Sequence, residues 1–444
     1  MRIIIAGAGE VGYYLARLFD QELHEIIVID NNPERLKRVE DNLGIVTILG
    51  DSTSYKILKE VKVETADMLI AVTEWEAVNI VTAITSKKLG AKYTIARISN
   101  MEYLLDKKTL DLHNLGIDEL ISPESLTARV VKHILKEPLL TESLKLYDDK
   151  LIMMGLHIED QAPVINKTIA ETTSLNPENC FIIVAIHRKG ETIIPKGQTQ
   201  IKKGDYLYFI ATNAGKDKVL KYCGKVSITI KKLLILGGSR TGARVAGRLC
   251  QYYDIKLIEK DINKCKELAL NLPKVQIVHG DGTNVKLLED EEFGTYDAFV
   301  AVTENSETNI FTCLMAKETG VKKTIAMVEN IGLFNHSLSI GIDTLINKKL
   351  AAANFIFKNI HNGGIYSFLY GLDAEILEFE VGEKSRVTQK IIKDIDFSAL
   401  TIITSVVRNG NAYIALGNFQ LQSKDKVVVF TLSKDIRKVE AFFN

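Results

Sequence analysis

The sequence predicts an α/β fold in which two doubly wound parallel-sheet lobes are each followed by a small β-rich α+β lobe. Three observations predict it. The chain has 444 residues, which suits two to four domains at roughly 100–200 residues each. The sequence repeats itself at a shift of 230 residues, so the two halves carry the same features. Within each half, alternating strands and helices give way to short β-branched runs.

The internal repeat rests on five features that coincide at one offset. The matched pairs are Gly7 and Gly12 with Gly237 and Gly242, Gly50-Asp51 with Gly280-Asp281, AVTE at Ala71 with AVTE at Ala301, Asn79 with Asn309, and TIAR at Thr94 with TIAM at Thr324. Because so many coincidences at one shift do not arise by chance, the chain is a duplication.

The stretch up to about residue 137 alternates apolar strands with amphipathic helices. In order, the pattern predicts strand RIIIAG, a helix from about Val11, strand EIIVID, a helix from Pro33, strands VTILG and MLIAVT, another helix, and strand YTIARI. Such alternation builds a parallel sheet with helices on both faces. One more helix follows, with Ser122 as its cap, Pro123 in its first turn and Pro138 at its end.

The pattern changes after each parallel-sheet lobe. The runs CFIIVAIHRKGETIIP and DYLYFIA are short β-branched strands with glycine turns, and LTIITSVVRNGNAYIA and DKVVVFTL repeat them in the second half. We therefore divide the chain into four lobes, 1–140, 141–228, 229–362 and 363–444. The connectors lack Gly/Ser-rich composition, so we expect the lobes to be held together rather than loosely tethered.

Composition excludes several classes of protein. Lys plus Arg and Asp plus Glu both number 56, so the chain lacks the basic excess of a nucleic-acid-binding protein. The five cysteines form no CxxC pair, which is typical of reduced thiols in the cytoplasm. No window approaches the roughly 18 apolar residues of a membrane helix. We therefore expect a soluble, cytoplasmic protein.

A glycine motif follows the first strand. Gly7-Ala8-Gly9-Glu10-Val11-Gly12 is a G-x-G-x-x-G sequence, whose glycines permit a tight turn, close approach of a pyrophosphate, and packing of helix on strand. The N–H groups that open the helix then face the phosphates. Asp30 ends the second strand and suits a ribose diol better than a 2′-phosphate. The motif predicts a Rossmann-type site for NAD(H); the alternative is a crevice that binds nothing.

The second copy departs from this motif. Its loop begins at Gly237, has Ser239 in place of the middle glycine and Arg240 in place of an acid, and continues with Thr241. A Cβ at Ser239 obstructs close approach of the backbone, although its hydroxyl could bond a phosphate, and Arg240 adds attraction for phosphate. Glu259 could hold a ribose. We expect this site to take ATP, ADP or NAD, or to remain empty.

Polar residues follow the later strands at the carboxyl edge of each sheet, where ligands bind in such folds. The candidates are Asp51, Ser52, Thr73, Glu74 and Arg97 in the first half and Asp281 and Thr303 in the second. The Gly-Asp pairs could meet adenine or simply make a tight turn. Arg97 could neutralise a phosphate or pair with Glu74, and its counterpart is the uncharged Met327. Trp75 lies beside this edge, and we expect it to pack rather than to stack on a base.

No feature of the sequence indicates catalysis. The eight histidines are scattered without ligand spacing, so no metal site is predicted. Neither a GxSxG elbow nor a P-loop occurs. The β-rich lobes are small for a domain that must hold a substrate. We therefore expect a protein that is not an enzyme; the alternative is an NAD-dependent oxidoreductase with an unrecognised active site.

These residues together resemble the RCK (also KTN) regulators of potassium transport. The residues that carry the resemblance are the first glycine motif, Asp30, Gly50-Asp51-Ser52, Thr73-Glu74, Asn79, Arg97, Pro195-Lys196-Gly197, Gly204-Asp205-Tyr206-Leu207, Gly417 and Lys424-Asp425. The resemblance covers essentially the whole chain. In that family each half is a Rossmann-type RCK-N lobe followed by a small RCK-C lobe, and the doubled form is similar to peripheral subunits of Trk potassium-uptake systems.

The resemblance implies a function and partners. It implies a regulatory subunit that binds NAD(H) or adenine nucleotides, forms a homotetramer or homodimer, and lies on the inner face of the cell membrane against a TrkH/TrkG-type potassium-translocating subunit. A bound nucleotide would favour one arrangement of paired lobes, which the assembly would relay to the membrane partner. In related rings an arginine in the glycine loop helps to hold a terminal phosphate, a position that Arg240 matches and Glu10 does not. The alternative is a regulator of another cation transporter.

Overall fold

The computed structural model describes most of the chain. The residues outside the description are 22–23, 101–102, 104–110, 148, 175, 227, 285, 288–290, 330–340, 361–366, 369–373, 384, 396–400, 433–438, 440–441 and 444. The chain forms two compact units, Met1–Arg129 with Asn347–Phe357, and Val130–Ile346 with Lys358–Asn444. The first unit therefore includes a short segment from the second half of the sequence.

The first unit is built on a six-stranded parallel sheet. Its strands are β1 (Arg2–Ala6), β2 (Glu25–Asp30), β3 (Val46–Leu49), β4 (Met68–Ala71), β5 (Tyr93–Arg97) and β6 (Glu119–Ile121). Its helices are α1 (Glu10–Gln21), α2 (Pro33–Leu43), α3 (Tyr55–Glu60), α4 (Glu76–Leu89) and the first half of α5 (Pro123–Lys136), with a 3-10 turn at Val63–Thr65. The order β3-β2-β1-β4-β5-β6 confirms the predicted doubly wound sheet. Its switch point between β1 and β4 opens a crevice at the carboxyl ends of the strands.

Local sequence explains where these elements begin and end. Residues Ile3–Ala6 of β1 are apolar and fully buried. The side chain of Asn32 accepts hydrogen bonds from two N–H groups in the first turn of α2 and so caps that helix, which ends at Gly44 in the left-handed region at φ 65°. At the start of α5, the N–H of Ser125 donates to the hydroxyl of Ser122 over 3.2 Å. The cap predicted for that helix is confirmed.

The second unit contains a five-stranded antiparallel sheet. Its strands are β7 (Glu142–Leu146), β8 (Leu151–His157), β9 (Phe181–Arg188), β10 (Glu191–Ile193) and β11 (Tyr206–Thr212), accompanied by α6 (Ile169–Ser174) and α7 (Asn213–Tyr222). Their order is β10-β9-β11-β8-β7. Arg188 pairs with the fully buried Asp205 over 2.7 Å, which ties the end of β9 to the start of β11.

A second parallel sheet follows in the same unit. Its strands are β12 (Lys232–Leu236), β13 (Asp254–Glu259), β14 (Gln276–His279), β15 (Ala298–Ala301), β16 (Lys323–Met327) and β17 (Thr344–Ile346). The helices are α8 (Arg240–Leu249), α9 (Ile262–Asn271), α10 (Ser306–Glu318) and α11 (Lys348–Ile360), with a 3-10 turn at Phe293–Thr295. The order β14-β13-β12-β15-β16-β17 matches that of the first sheet. The duplication predicted from the sequence is therefore present in the fold.

The two antiparallel sheets share one hydrophobic core. The second has strands β18 (Ser367–Phe368), β19 (Ala374–Glu380), β20 (Thr401–Arg408), β21 (Asn411–Ile414) and β22 (Lys426–Leu432), in the order β18-β19-β22-β20-β21, with 3-10 turns at Arg386–Gln389 and Ile392–Asp394. Met153 and Ile210 from the first sheet and Val428 and Phe430 from the second are fully buried in a single cluster. Packing of two apolar sheet faces in this cluster holds the two antiparallel sheets together.

Helix α11 is divided between the two units. Its cap is Asn347, whose side-chain oxygen accepts a hydrogen bond from the N–H of Lys349 over 2.9 Å. Residues Asn347–Phe357 belong to the first unit, where the ring of Phe355 lies 5.7 Å from the guanidinium of Arg129. The unit that contains the first glycine motif is thus completed by a segment more than 300 residues away in the sequence.

Candidate functional site

The first glycine loop lies at the switch point between β1 and β4. Gly7 has φ 110°, and a Cβ there would lie 2.8 Å from the backbone nitrogen of Thr73. A Cβ on Gly12 would lie 1.8 Å from the carbonyl oxygen of Gly7. Only glycine fits these two positions, because Cβ atoms do not approach backbone atoms so closely. The tight turn and the close packing of helix on strand are as the motif predicted.

Gly9 differs from the other two glycines because it faces open space. A Cβ built there meets no other atom within 4 Å, and α1 begins at the next residue. The approach to the loop is therefore kept clear by the missing side chain. The N–H groups that open a helix attract anions, so the residues of this loop fit a pyrophosphate.

The acid at the end of the second strand anchors the glycine loop in each unit. Asp30 is 7% exposed, and its carboxylate accepts hydrogen bonds from the N–H groups of Ala8 over 2.5 Å and Asn32 over 2.8 Å. Glu259 accepts the equivalent hydrogen bonds from the N–H groups of Gly238 over 2.7 Å and Asp261 over 2.9 Å. A carboxylate has about four acceptor positions. Two therefore remain for ribose hydroxyl groups.

The two loops compensate for acids of different length. A Cβ on Gly238 would lie 3.0 Å from a carboxylate oxygen of Glu259 and 2.5 Å from Leu268. In the first unit the shorter Asp30 leaves room for a methyl group, and Ala8 occupies it at 3% exposure. The pairs Ala8–Asp30 and Gly238–Glu259 therefore make the same hydrogen bond, from a backbone N–H group to a carboxylate. The role of Ala8 in this contact is to donate its N–H and to fill the space that the shorter acid leaves.

Two ion pairs lie at the rim of the first crevice. Arg35 pairs with Glu74 over 2.6 Å, and Arg38 pairs with Glu10 over 2.8 Å. Glu74 is thus paired with Arg35 and not with Arg97, so the pairing considered for Arg97 is wrong. The hydrogen bond from Arg38 lowers the pKa of Glu10, although partial burial opposes it. Sequence analysis missed both α2 arginines; their spacing of three places them on one face of the helix that follows Asp30.

A buried amide fixes the loop after β4. The side-chain oxygen of Asn79 accepts hydrogen bonds from the N–H of Thr73 over 2.8 Å and from its hydroxyl over 2.7 Å. Its NH2 group donates to the carbonyl of Thr73 over 3.1 Å and to that of Arg97 over 2.9 Å. Asn309 repeats this arrangement with Thr303 and the end of β16. The asparagines, which the sequence showed only as a repeated feature, hold the ends of two neighbouring strands together.

Replacing Asn79 with leucine should lower the free energy of unfolding by about 2 kcal/mol, because the part-buried backbone groups of Thr73 and Arg97 lose their partners. Denaturant unfolding of the full chain measures the change. Val81→Leu is the matched control, since Val81 lies on the same helix but is 47% exposed, and it should leave stability unchanged. Equal stability of Asn79→Leu and the parent would contradict the role given to the amide.

The Gly-Asp pairs after β3 and β14 make tight turns. Asp51 accepts hydrogen bonds from both the N–H and the hydroxyl of Thr53 over 2.8 Å. Asp281 accepts the same two hydrogen bonds from Thr283. Ser52 is buried, and its hydroxyl lies 3.0 Å from that of Thr82 on α4. The interpretation as turns is confirmed, and Ser52 contributes to helix packing. Contact with adenine at these positions stays a prediction.

The second loop presents a cation to solvent. Arg240 is exposed, whereas the side chain of Thr241 is 3% exposed and that of Val11, its counterpart in the first loop, is 5% exposed. Only the N–H groups of the two buried residues could face a phosphate. The hydroxyl of Ser239 lies 3.4 Å from the carbonyl oxygen of Val302, so this side chain is accommodated against the strand end.

Trp75 does not pack as expected. It is 73% exposed and occupies the N-cap position of α4, directly after Glu74. The chain leaves the sheet at this point and turns into the helix, which carries the ring outward. The expectation of packing was wrong, and the only tryptophan of the chain lies at the rim of the first crevice.

The equivalent crevice in the second unit forms a cavity of about 350 Å³. Its lining includes the predicted residues Gly237, Ser239, Glu259, Asp281 and Thr303, together with Lys260 and Lys264, which sequence analysis missed. The two lysines stand just after the acid and in the first turn of α9. The volume falls within the range of small-molecule sites, and the structure brings most of the predicted second-site residues into one place.

Two absences hold within the described part of the chain. No group of three His, Cys, Asp or Glu side chains is arranged to hold a metal ion. Among the same residues, no helix combines the length and apolar composition needed to cross a bilayer.

Family models match both halves of the chain. The TrkA-N domain model matches residues 3–123 and 233–348, and the TrkA-C domain model matches residues 153–224 and 376–444. The TrkA-N matches contain both glycine loops, and the TrkA-C matches contain most of the two antiparallel sheets.

Curated relatives match over the full length. The Trk system potassium uptake protein TrkA homolog of Archaeoglobus fulgidus is 31% identical, with 100% of both chains covered. The TrkA protein of Azorhizobium caulinodans is 29% identical over 100% of this chain and 98% of its own length. Among solved structures, the GsuK channel bound to NAD matches with a TM-score of 0.59 at 16% identity, covering 100% of this chain and 78% of that one. That similarity supports the fold.

Proposed function

Because the chain belongs to the TrkA family, with two TrkA-N and two TrkA-C domains, we propose that it is a nucleotide-responsive regulatory subunit of a Trk-type potassium-uptake system. The relatives that match over the whole chain are named as Trk system potassium uptake proteins. The observation that carries the nucleotide assignment is the first crevice, which is open at Gly9 and bordered by the anchored carboxylate of Asp30.

The residues of the first crevice suit NAD(H). The N–H groups at the start of α1 would bind the pyrophosphate, and Asp30 would accept hydrogen bonds from the adenosine ribose. Glu10 and Arg38 at the rim would set the charge that the phosphates meet. In the second crevice, Arg240, Lys260 and Lys264 favour ATP or ADP as well as NAD.

Binding acts through conformation in this proposal. A nucleotide shifts the equilibrium between two arrangements of the lobes only by its differential affinity for them, typically about 1–3 kcal/mol per site. The chain would work as a homotetramer or homodimer, peripheral on the cytoplasmic face of the membrane. Its partner would be a TrkH/TrkG-type potassium-translocating subunit. No catalytic step is part of the proposal.

The first experiment mixes the purified full chain with NADH and measures bound and total intact NADH together. Trp75 is the only tryptophan and lies at the rim of the first crevice, so energy transfer from its fluorescence to NADH bound there is expected to report binding at that site. Stoichiometric binding with no loss of NADH supports a sensor. Catalysed loss of NADH supports an oxidoreductase instead, and absence of binding rejects NAD(H) as the ligand.

Changing Asp30 to asparagine should weaken NADH binding at the first site by about tenfold or more. An amide keeps only one acceptor oxygen, so one of the two backbone hydrogen bonds from Ala8 and Asn32 is lost together with acceptor positions for the ribose. Titration of the Trp75 energy-transfer signal measures the affinity. Glu259→Gln, the same change in the second unit, should leave that signal unchanged. An Asp30→Asn protein with the parent's affinity would show that Asp30 does not hold the ribose.

A further inference from the structure

The only tryptophan of the chain occupies a helix N-cap position that suits a different residue type. Trp75 precedes α4 with φ −100° and ψ 110° and provides no side-chain cap. Asn305 holds the matched position before α10 with nearly the same backbone, φ −105° and ψ 114°. Its side-chain oxygen accepts a hydrogen bond from the N–H of Thr308 over 2.6 Å. Because side chains with such an oxygen are strongly preferred at an N-cap, the first copy lacks a stabilising contact that the second copy has.

Packing does not explain the tryptophan either. Trp75 is 73% exposed, so its ring lies largely in water, although burial of apolar area is what favours so large a side chain in a fold. Its backbone is nevertheless fixed. The N–H of Trp75 donates to the hydroxyl of Thr73 over 3.3 Å, and its carbonyl accepts from the N–H of Asn79 over 3.1 Å. A side chain that neither caps nor packs, on a backbone held in place, is typical of a binding position.

The second unit shows that this position faces the crevice. Asn305, the counterpart of Trp75 at a shift of 230 residues, lines the cavity of about 350 Å³ together with Glu259 and Asp281. Glu259 is the acid expected at the ribose, and Asp281 lies in the turn after β14. The matched position therefore borders the part of the cavity where the adenosine of a nucleotide is expected.

The first unit places Trp75 on the same side of its own crevice. Glu74, the residue before Trp75, pairs with Arg35 over 2.6 Å. Arg35 lies in the first turn of α2, the helix that follows the ribose-binding acid Asp30. The ion pair therefore holds the loop after β4 beside the adenosine side of the crevice, and Trp75 is the exposed aromatic residue of that loop.

We infer that the indole ring of Trp75 is the stacking surface for the adenine of a nucleotide bound in the first site. The inference rests on the proposed function, because it concerns the ligand of that site. Stacking of a base on an aromatic side chain strengthens binding by about tenfold. Asn305 gives the second site no such surface. The first site thus recognises the base of its ligand as well as the ribose and the phosphates.

The test replaces Trp75 with asparagine, the residue of the second copy, in a chain whose second site is blocked. The reference chain carries Ser239→Asp, because Ser239 is the N-cap of α8 and aspartate is a favoured cap whose charge repels phosphates. Trp75→Asn should weaken binding of both NADH and ADP to this chain by about tenfold, measured by calorimetry. Trp75→Phe should keep most of the affinity. Val81→Ala, which shortens another exposed apolar side chain on α4, should keep all of it.

Two further measurements separate a binding role from a structural one. Trp75→Asn supplies the missing cap, so it should unfold at a higher denaturant concentration than the reference chain, followed by circular dichroism, while it binds more weakly. In the reference chain, ADP should quench the fluorescence of Trp75 by direct contact, since ADP does not absorb tryptophan emission. Earlier unfolding of Trp75→Asn would show that the ring packs in the fold, and absence of quenching would show that no base lies against it. Either result would overturn the inference.

The remaining outcomes separate the inference from the proposed function. An affinity of Trp75→Asn for ADP equal to that of the reference chain would overturn the stacking role and leave the nucleotide site in place. Weaker binding of NADH with unchanged binding of ADP would put the nicotinamide against the ring and overturn the adenine assignment. A changed oligomeric state with unchanged affinity would assign the ring to a subunit contact instead. Failure of the reference chain to bind either NADH or ADP would reject the proposed first site, and the inference with it.

Discussion

A Gly9→Val chain is expected to bind NADH at least about a hundredfold more weakly than the parent while unfolding at the same denaturant concentration. The Cβ position of Gly9 is empty to 4 Å, so the fold accommodates the side chain. The same empty space is where a pyrophosphate must approach the backbone. The loss therefore falls on binding and not on stability, and the two are measured by NADH titration and by denaturant unfolding.

Gly197→Val is the matched control for this substitution. A Cβ on Gly197 would lie 3.8 Å from that of Ala170, an ordinary contact, and the residue belongs to the first antiparallel lobe. This variant should retain both NADH affinity and stability. A Gly9→Val protein that binds NADH like the parent would place the ligand elsewhere, and one that unfolds early would show that the space at Gly9 is not free.

The second large effect, on the pH dependence of stability, is expected at Lys323, the first residue of β16. Lys323 is 2% exposed, and its ammonium group donates a hydrogen bond to the carbonyl of Leu140 over 3.0 Å. Burial lowers the pKa of Lys323 to about 8, although the negative charge of Asp343 partly opposes the shift. The first half has Tyr93 at the matched position, so this buried amine belongs to the second copy alone.

Stability of the parent should rise with pH relative to a Lys323→Met variant. The unfolded lysine titrates near its ordinary pKa and the folded one near pKa 8, so between these values the unfolded state binds more protons. The free energy of unfolding therefore increases with pH across this window, and the gain is lost as pH falls through 8. From about pH 7 to about pH 10 the parent should gain about 2 to 3 kcal/mol over the variant.

Lys322→Met controls for loss of a neighbouring lysine. Lys322 is exposed and pairs with Asp297 over 2.7 Å, so its removal should leave the alkaline slope of stability like that of the parent. Denaturant unfolding at several pH values measures all three proteins. Parallel profiles for Lys323→Met and the parent would mean that the lysine is solvated in the folded chain.

Much of the fold and of the nucleotide site could be predicted from the sequence. Apolar strands alternating with amphipathic helices predicted a parallel sheet. The positions of Gly7 and Gly12 match contacts that only glycine can make, and Asp30 makes carboxylate contacts that Glu259 repeats in the second unit. Ser122 and Asn32 cap helices through their own side chains, a local effect that needs no knowledge of the rest of the fold. Such features depend on short stretches of chain, which is why sequence suffices.

Contacts between distant stretches could not be predicted. Arg35 rather than Arg97 pairs with Glu74 because the start of α2 approaches the loop after β4, and the order of residues does not contain that distance. Lys349 is placed in the first unit by the path of the whole second half. The exposure of Trp75 follows from the angle at which the chain enters α4, whereas aromatic composition alone favoured burial.

The core shared by the two antiparallel sheets changes how their pairing depends on concentration. If these sheets belonged to separate chains, the pair would dissociate on dilution according to its dissociation constant. Here they are joined through one polypeptide, so pairing is intramolecular and each sheet meets the other at a fixed effective concentration. The pair also always consists of one sheet from the first half of the chain and one from the second, whatever the protein concentration. The facing strands of the two sheets can therefore carry different substitutions, because a sheet from one half of the chain is always paired with the sheet from the other half and never with a copy of itself.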